Sequence, residues 1–280
     1  MSKINKQGLK RAIPEDVKRA VRQRCGFGCV ICGDAFIQYD HLSMKFKDAR
    51  SHDPKDIVLL CASHHARKTS RQLSEETIRK AADKPKALEE GFTFGALDVG
   101  TDPPEITLGE MTCTNVTNLF EVDGVCLFSV APPERLGAPY RVSARLTNSR
   151  GVEVLRIVEN EFQAMVGNWD FTVIGQVLTI RRAAADIILE LRTDPPNRLV
   201  VSRLDMRYRR ARMSIREGQP TTVVAGGNRF GLVAMSLNGN HTAIRVHKDG
   251  IGFASGPGTV RVTPGRSMGM FRVTPDFSTE

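Results

Sequence analysis

The chain has 280 residues, of which 41% are apolar and 25% charged, and it carries a formal net charge of +9. That composition excludes a disordered chain, and the length predicts two domains, each able to bury its own core. No run approaches the roughly 18 consecutive apolar residues of a membrane span, and the basic start MSKINKQGLKR is followed by no apolar signal core, so a cytoplasmic protein without membrane contact is expected.

In chain order, Pro14 stands at a helix-start position in AIPEDVKRAVRQR. Glu15 and Asp16 fall in the first turn and Arg22 and Arg24 in the last, complementing the helix dipole at both ends, which predicts a short helix ending near Gly26. CGFGCVICGDAF then reads as a glycine-punctuated knuckle, and FIQYDHLSMKF as a strand entering a loop. A turn is expected at Asp53-Pro54, capped by His52, then an apolar run from Ile57 to Leu60 and a helical segment from about Cys61. A further helix has Ser74 as its N-cap and runs to Asp83.

Past Lys84-Pro85-Lys86 the text changes to strands and turns. RVSARLTNSRGVEVLRIV, WDFTVIGQVLTIRR, ADIILELR, RLVVSRLDMRY, FGLVAMSLNGNHTAIRV and GTVRVTPG are separated by Gly, Asn, Asp and Pro. Asp123-Gly124 and Asn238-Gly239 are hairpin-turn candidates. The expected organisation is therefore α+β: an N-terminal domain over residues 1–90 with flanking helices, and a mainly β, sandwich-like domain over residues 95–280.

Charge and cysteine chemistry concentrate in the first part. Residues 1–90 hold nineteen Lys/Arg against twelve Asp/Glu, so this half is the one expected to meet phosphate. Cys29-x-x-Cys32 and Cys61-x-x-His64 are two pairs of soft and borderline ligands, each able to reach one ion from a single turn. This is the arithmetic of a closed, tetrahedral Cys₃His zinc site, structural in role, in a domain too small for a large core. Cys25, Cys113 and Cys126 read as free thiols, the last two buried in strand-like runs. Between the two ligand pairs lies Asp40-His41, and directly after the second comes His65. With Cys61 opening a helix, His64 at i+3 and His65 at i+4 project in distinct directions, leaving His65 free for a second metal.

CGFGCVICG, then YDHL, then DIVLLCASHH followed by RKT together resemble the ββα-metal motif of HNH endonucleases. The resemblance implies that His41 is a general base, that Asp40 and His65 bind a catalytic Mg²⁺ or Mn²⁺, and that Cys29, Cys32, Cys61 and His64 hold zinc. It further implies cleavage of DNA to 5′-phosphate and 3′-hydroxyl ends. Two positions depart from the family pattern. Asp56 stands where asparagine orients the loop carrying the base, and an ionised aspartate accepts hydrogen bonds without donating them; His64 stands where the fourth zinc ligand is usually cysteine. Arg22, Arg24, Arg67, Lys68 and Arg71 are candidate phosphate contacts, with a solvated basic surface as the competing account.

The second domain shows no catalytic spacing, phosphate loop or ligand cluster, so its expected role is regulation, DNA binding or homodimerisation. By analogy of architecture, such a chain suits a bacterial defence or restriction-type effector. The competing class is a non-catalytic zinc-finger DNA-binding protein whose β domain recruits a partner.

Overall fold

The computed structural model describes residues 4–42, 46–248 and 250–262. Its N-terminal part runs α1 (Glu15–Arg24), β1 (Ile37–His41), β2 (Ile57–Cys61), α2 (Ala62–Thr69), α3 (Glu75–Asp83), α4 (Lys86–Glu90) and β3 (Phe92–Ala96). The protein is α+β and mostly strand. Among the described residues no helix is long and apolar enough to cross a membrane.

Each N-terminal element follows from its residues. α1 begins after Pro14, whose missing N–H costs nothing at that position, and ends at Cys25 after basic residues in the last turn. In α3 the Ser74 hydroxyl accepts a hydrogen bond from the Thr77 amide at 3.1 Å, the expected N-cap, and Ile78 and Ala82, four residues apart, face inward. β2 is buried at all five positions, which its uninterrupted IVLLC text requires. Val21, Cys25, Val30, Leu42 and Ile78 pack with it into one core. β1 pairs antiparallel to β2 with Ile37 opposite Cys61, Asp40 opposite Val58 and His41 opposite Ile57. Ser43, Met44 and Lys45, within the predicted strand-to-loop segment, lie outside the described residues.

The chain separates into two compact units. The first comprises the described residues of Met1–Gly95 together with Gln163–Val173; the second comprises those of Ala96–Phe162 and Ile174–Glu280. A boundary drawn from composition alone assigns residues 163–173 to the second domain, whereas they belong to the first unit. They belong there because they supply the partners of α1. Asp170 accepts two hydrogen bonds from the Arg22 guanidinium, Nε to Oδ1 at 2.8 Å and Nη2 to Oδ2 at 2.7 Å. The Trp169 carbonyl accepts from the Gln23 amide at 2.7 Å, the Arg19 guanidinium lies 4.7 Å from the centre of the Trp169 ring, and Phe171 packs edge-on against Phe27.

The second unit is built of strands in two sheets. Within it, one sheet has the order Gly250–Ser255, Thr242–His247, Asn118–Val122, Val125–Ala131, Arg141–Thr147, Glu153–Val158. The other runs Val177–Ala183, Asp186–Asp194, Arg198–Tyr208, Glu105–Leu108, Met111–Thr114, Met235–Asn238, Thr259–Val262. The long strand Arg198–Tyr208 serves two neighbours along one edge. Its first part pairs parallel with Glu105–Leu108 and its last part antiparallel with Ala211–Arg216, which continues to Thr221–Ala225 and Asn228–Leu232. The two sheets meet where the Arg207 amide donates to the Asn148 carbonyl at 3.0 Å and the Thr147 hydroxyl to the Arg207 carbonyl at 2.5 Å.

Asp123-Gly124 forms the expected two-residue hairpin turn, with positive φ at both residues (47° and 76°) as the favoured right-handed twist demands. Asn238-Gly239 does not. It joins Met235–Asn238 to Thr242–His247, which lie in different sheets, each pairing parallel with an earlier strand of the unit. Cys113 is buried as expected, but Cys126 is exposed, because the register slips by one residue between Cys126 and Phe128 and sets Cys126 on the opposite face from Phe128 and Val130. The last residues of GTVRVTPG, from Thr263 on, lie outside the described residues.

The Arg22–Asp170 pair is the strongest single tie between α1 and residues 163–173. Both side chains are almost fully buried, at 7% and 5% exposed. Asp170→Ala should therefore leave a buried guanidinium without its bidentate carboxylate partner and cost about 3 kcal/mol or more, read by Trp169 fluorescence in urea. The double variant Arg22→Met/Asp170→Leu should lose much less. A loss below about 0.5 kcal/mol in Asp170→Ala, typical of an ordinary surface substitution, would contradict this account.

Candidate metal centre and the neighbouring histidines

The knuckle that carries the first ligand pair is set by backbone geometry. The Cys29 amide donates to the Asp34 carbonyl and the Gly33 amide to the Cys29 carbonyl, both at 2.8 Å, closing the turn around Cys29 and Cys32. Gly33 sits at φ 85°, which a side chain would strain. A Cβ at Gly28 would come within 2.5 Å of both the Gly33 carbonyl oxygen and the Thr93 hydroxyl. That hydroxyl, fully buried, donates to the same carbonyl at 2.6 Å. The knuckle is thereby fastened to β3, and to β2 through the Val30 amide and the Leu59 carbonyl at 3.0 Å.

The second pair stands where β2 becomes α2. Cys61 is the last residue of β2 and the N-cap of α2, and His64 is one turn on. The side-chain donor atoms of Cys29, Cys32, Cys61 and His64 all lie within 4.8 Å of one another. His64 Nδ1 is 3.1 Å from Cys61 Sγ and 3.4 Å from Cys29 Sγ, and the sulfurs of Cys32 and Cys61 are 3.9 Å apart. A tetrahedral ion with bonds of about 2.3 Å to sulfur requires sulfur–sulfur edges of about 3.8 Å. The cluster could therefore hold a zinc ion, and three thiolates with an imidazole are its customary donors. The hydrogen bond from the Cys32 thiol pulls Cys29 down to about 4, against burial, while the same bond holds the Cys32 proton in place and raises that group. Cys25 is fully buried, and burial raises its thiol, as suits an inert core position.

Beside this cluster the chain places Asp40, His41 and α2 together. Lys68 is the link: its ammonium donates to Asp40 Oδ2 at 2.7 Å and to the His41 carbonyl at 2.6 Å. His65, one turn before Lys68, shares that side of the helix. The His41 imidazole is half-buried. Burial first, then His52, pushes it below the ordinary histidine value; Asp40 opposes this, Lys68 adds to it and Asp56 opposes. At neutral pH it is accordingly held in the uncharged form.

Among the described residues, Asp56 meets the loop through its backbone, and no hydrogen bond joins its carboxylate to it. Its backbone carbonyl accepts from the Leu42 amide at 2.7 Å, closing the base of the loop directly after His41. Nor does His52 cap the turn at Asp53-Pro54: the Asp53 carboxylate does, accepting from the Lys55 amide at 2.9 Å. His52 instead lies with its ring centre 6.0 Å from that of His41 and stacks on Phe46.

Comparison with models of protein families, with curated proteins and with solved structures finds no match to the chain.

The predicted phosphate contacts divide. Arg22 is buried and spent on Asp170 and on the Tyr39 hydroxyl at 2.7 Å. Burial opposes its charge, but those partners outweigh it, and the guanidinium titrates above its usual value. Arg24 donates to the carbonyls of Pro54 and Ile57, pinning the end of the loop. Lys68 is committed as described, whereas Arg67 and Arg71 are exposed. Sequence reasoning missed the ties of Lys68 to Asp40 and of Asp170 to Arg22. The first had a signal, since Lys68 stands one turn after His65; the second, across 148 residues, had none.

If the cluster binds zinc, the purified chain should carry about one zinc by elemental analysis, lost in Cys32→Ser. Chelation should lower the urea midpoint read by Trp169, because metal binding and folding are coupled in so small a core. Zinc well below one per chain would overturn the assignment.

Proposed function

We propose that the protein is a metal-dependent DNA endonuclease of the HNH (ββα-metal) type. The observation that carries this reading is the β1–β2–α2 succession, which sets the pair Asp40-His41 beside the helix bearing His65, tied to it by Lys68 at 2.7 Å. The resemblance of the motifs points the same way.

In this reading, His41 takes a proton from a water molecule as that water attacks the scissile phosphate. Its imidazole is suited to the task because burial keeps it uncharged near neutrality. Asp40 and His65 would hold a Mg²⁺ or Mn²⁺ ion. One carboxylate and one imidazole make a donor set acceptable to such a cation while leaving positions for phosphate and water. When bound, the ion supplies charge stabilisation at the phosphate and at the leaving oxygen. Asp56 and Arg24 hold the loop after His41 through backbone carbonyls, and so fix where the base sits. Exposed Arg67 and Arg71 remain as candidates for contacts to the DNA backbone. A role of the β-rich unit in regulation, DNA binding or homodimerisation, and a place in bacterial defence, belong to the same proposal and rest on architecture alone.

One observation favours a second reading, a non-catalytic zinc-finger DNA-binding protein. The Lys68 ammonium already neutralises Asp40, leaving that carboxylate satisfied without an ion. Cleavage of supercoiled plasmid separates the two. Wild type should cut with Mg²⁺ or Mn²⁺ and stop with chelator, and His41→Ala should be slower by about 100-fold or more with its zinc content unchanged. Plasmid binding without cutting under either metal would establish the second reading instead.

A further inference from the structure

His41 and His52 present an unusual pair of atoms. His41 Nε2 and His52 Nδ1 are both buried, and among the described residues neither has a hydrogen-bond partner. Their rings lie 6.0 Å apart between centres, at 40° to one another. Buried imidazole nitrogens without partners are costly, so two such atoms on neighbouring rings call for a common explanation.

The other nitrogen of His52 supplies it. His52 Nε2 lies 2.8 Å from the Lys10 carbonyl oxygen, which can only accept, so Nε2 carries the proton. In the neutral ring, Nδ1 is then a bare acceptor. That acceptor is fixed from both sides. Asn5 donates to the carbonyls of Phe46 and Ala49 at 2.6 and 2.7 Å, binding the N-terminal segment to the loop that carries the ring. Phe46 stacks on the ring, and the Arg11 guanidinium lies 5.4 Å from the centre of Phe46.

We infer that His52 is a positioning residue for His41: its Nδ1 accepts a hydrogen bond originating at His41 Nε2–H, and so leaves His41 Nδ1 as the basic nitrogen. Both nitrogens are closed to water, so the bond is a direct one, made once the rings approach by about an ångström. The proton order then runs from His41 Nε2–H to His52 Nδ1 and from His52 Nε2–H to the Lys10 carbonyl. This chain thereby supplies an acceptor that fixes the tautomer of His41. The catalytic part of the inference rests on the nuclease reading; the tautomer itself does not.

The test follows that division. In the zinc-loaded full chain, without DNA, long-range ¹H–¹⁵N correlation spectra above the titration range of His41 should show its proton on Nε2. The tautomer should persist in His52→Gln, whose amide oxygen can accept, and should shift toward Nδ1–H in His52→Phe, which keeps the stacking on Phe46 but offers no acceptor. In plasmid cleavage, His52→Phe should lose kcat by about tenfold or more with KM little changed, and His52→Gln should restore most of it. An Nδ1–H tautomer in wild type, or one unmoved by His52→Phe, would overturn the inference even if plasmid is cut normally. The expected tautomers in a chain that cuts no plasmid would uphold the pairing and sink the nuclease reading alone.

Discussion

Four donor atoms within 4.8 Å of one another are the constraint around which the N-terminal unit is arranged. Three thiols and an imidazole do not gather in a small core for the sake of apolar burial. Holding them requires a knuckle closed by Gly33, a strand that ends on Cys61, and a helix that starts there without a residue between. That abrupt passage from β2 to α2 in turn decides the placement of His65 and Lys68, because both ride on the first helix turns after the last ligand. The histidine on β1 is then fixed by register, opposite Ile57, with its loop closed by the Asp56 carbonyl. The cluster thus organises a second group of polar side chains that it does not itself contain.

Charge in this unit is mostly spent indoors. The excess of basic residues suggests a broad cationic face, but several of these cations have specific local tasks. Arg22 answers Asp170, Arg24 answers two carbonyls, and Lys68 answers Asp40 and a third carbonyl. A formal sum over the sequence counts them equally with Arg67 and Arg71, which are exposed and whose field extends into solvent. Burial therefore separates cations that build the unit from those able to meet a polyanion.

Legibility in the sequence followed the range of the interaction. α1 and α3 could be read because Pro14, the acidic first turn and Ser74 act within a few residues. The Cys₃His grouping was legible because each pair lies within one turn, and the Asp123-Gly124 hairpin because its φ angles are a local demand. What escaped was set by partners far along the chain. Asn238-Gly239 has good hairpin chemistry, but each flanking strand finds a parallel neighbour more than a hundred residues earlier, and those pairings override the turn. The fate of Arg22 depended on Asp170, and the position of His52 on Lys10, Phe46 and the closure of a loop. No periodicity encodes such meetings.

The return of residues 163–173 to the first unit has a consequence for the order in which the protein is made. Chain synthesis passes residue 95, where the ligand cluster and its helices are complete, and then delivers the first strands of another unit before Trp169 and Asp170 emerge. At about 5–20 residues per second this interval lasts several seconds. Throughout it α1 lacks Asp170 for Arg22 and the Trp169 ring for Arg19. The nascent N-terminal unit therefore persists in an unfinished form, held by ties within its first 95 residues such as the β1–β2 pairing and the Thr93–Gly33 hydrogen bond, until the later segment closes the helix face.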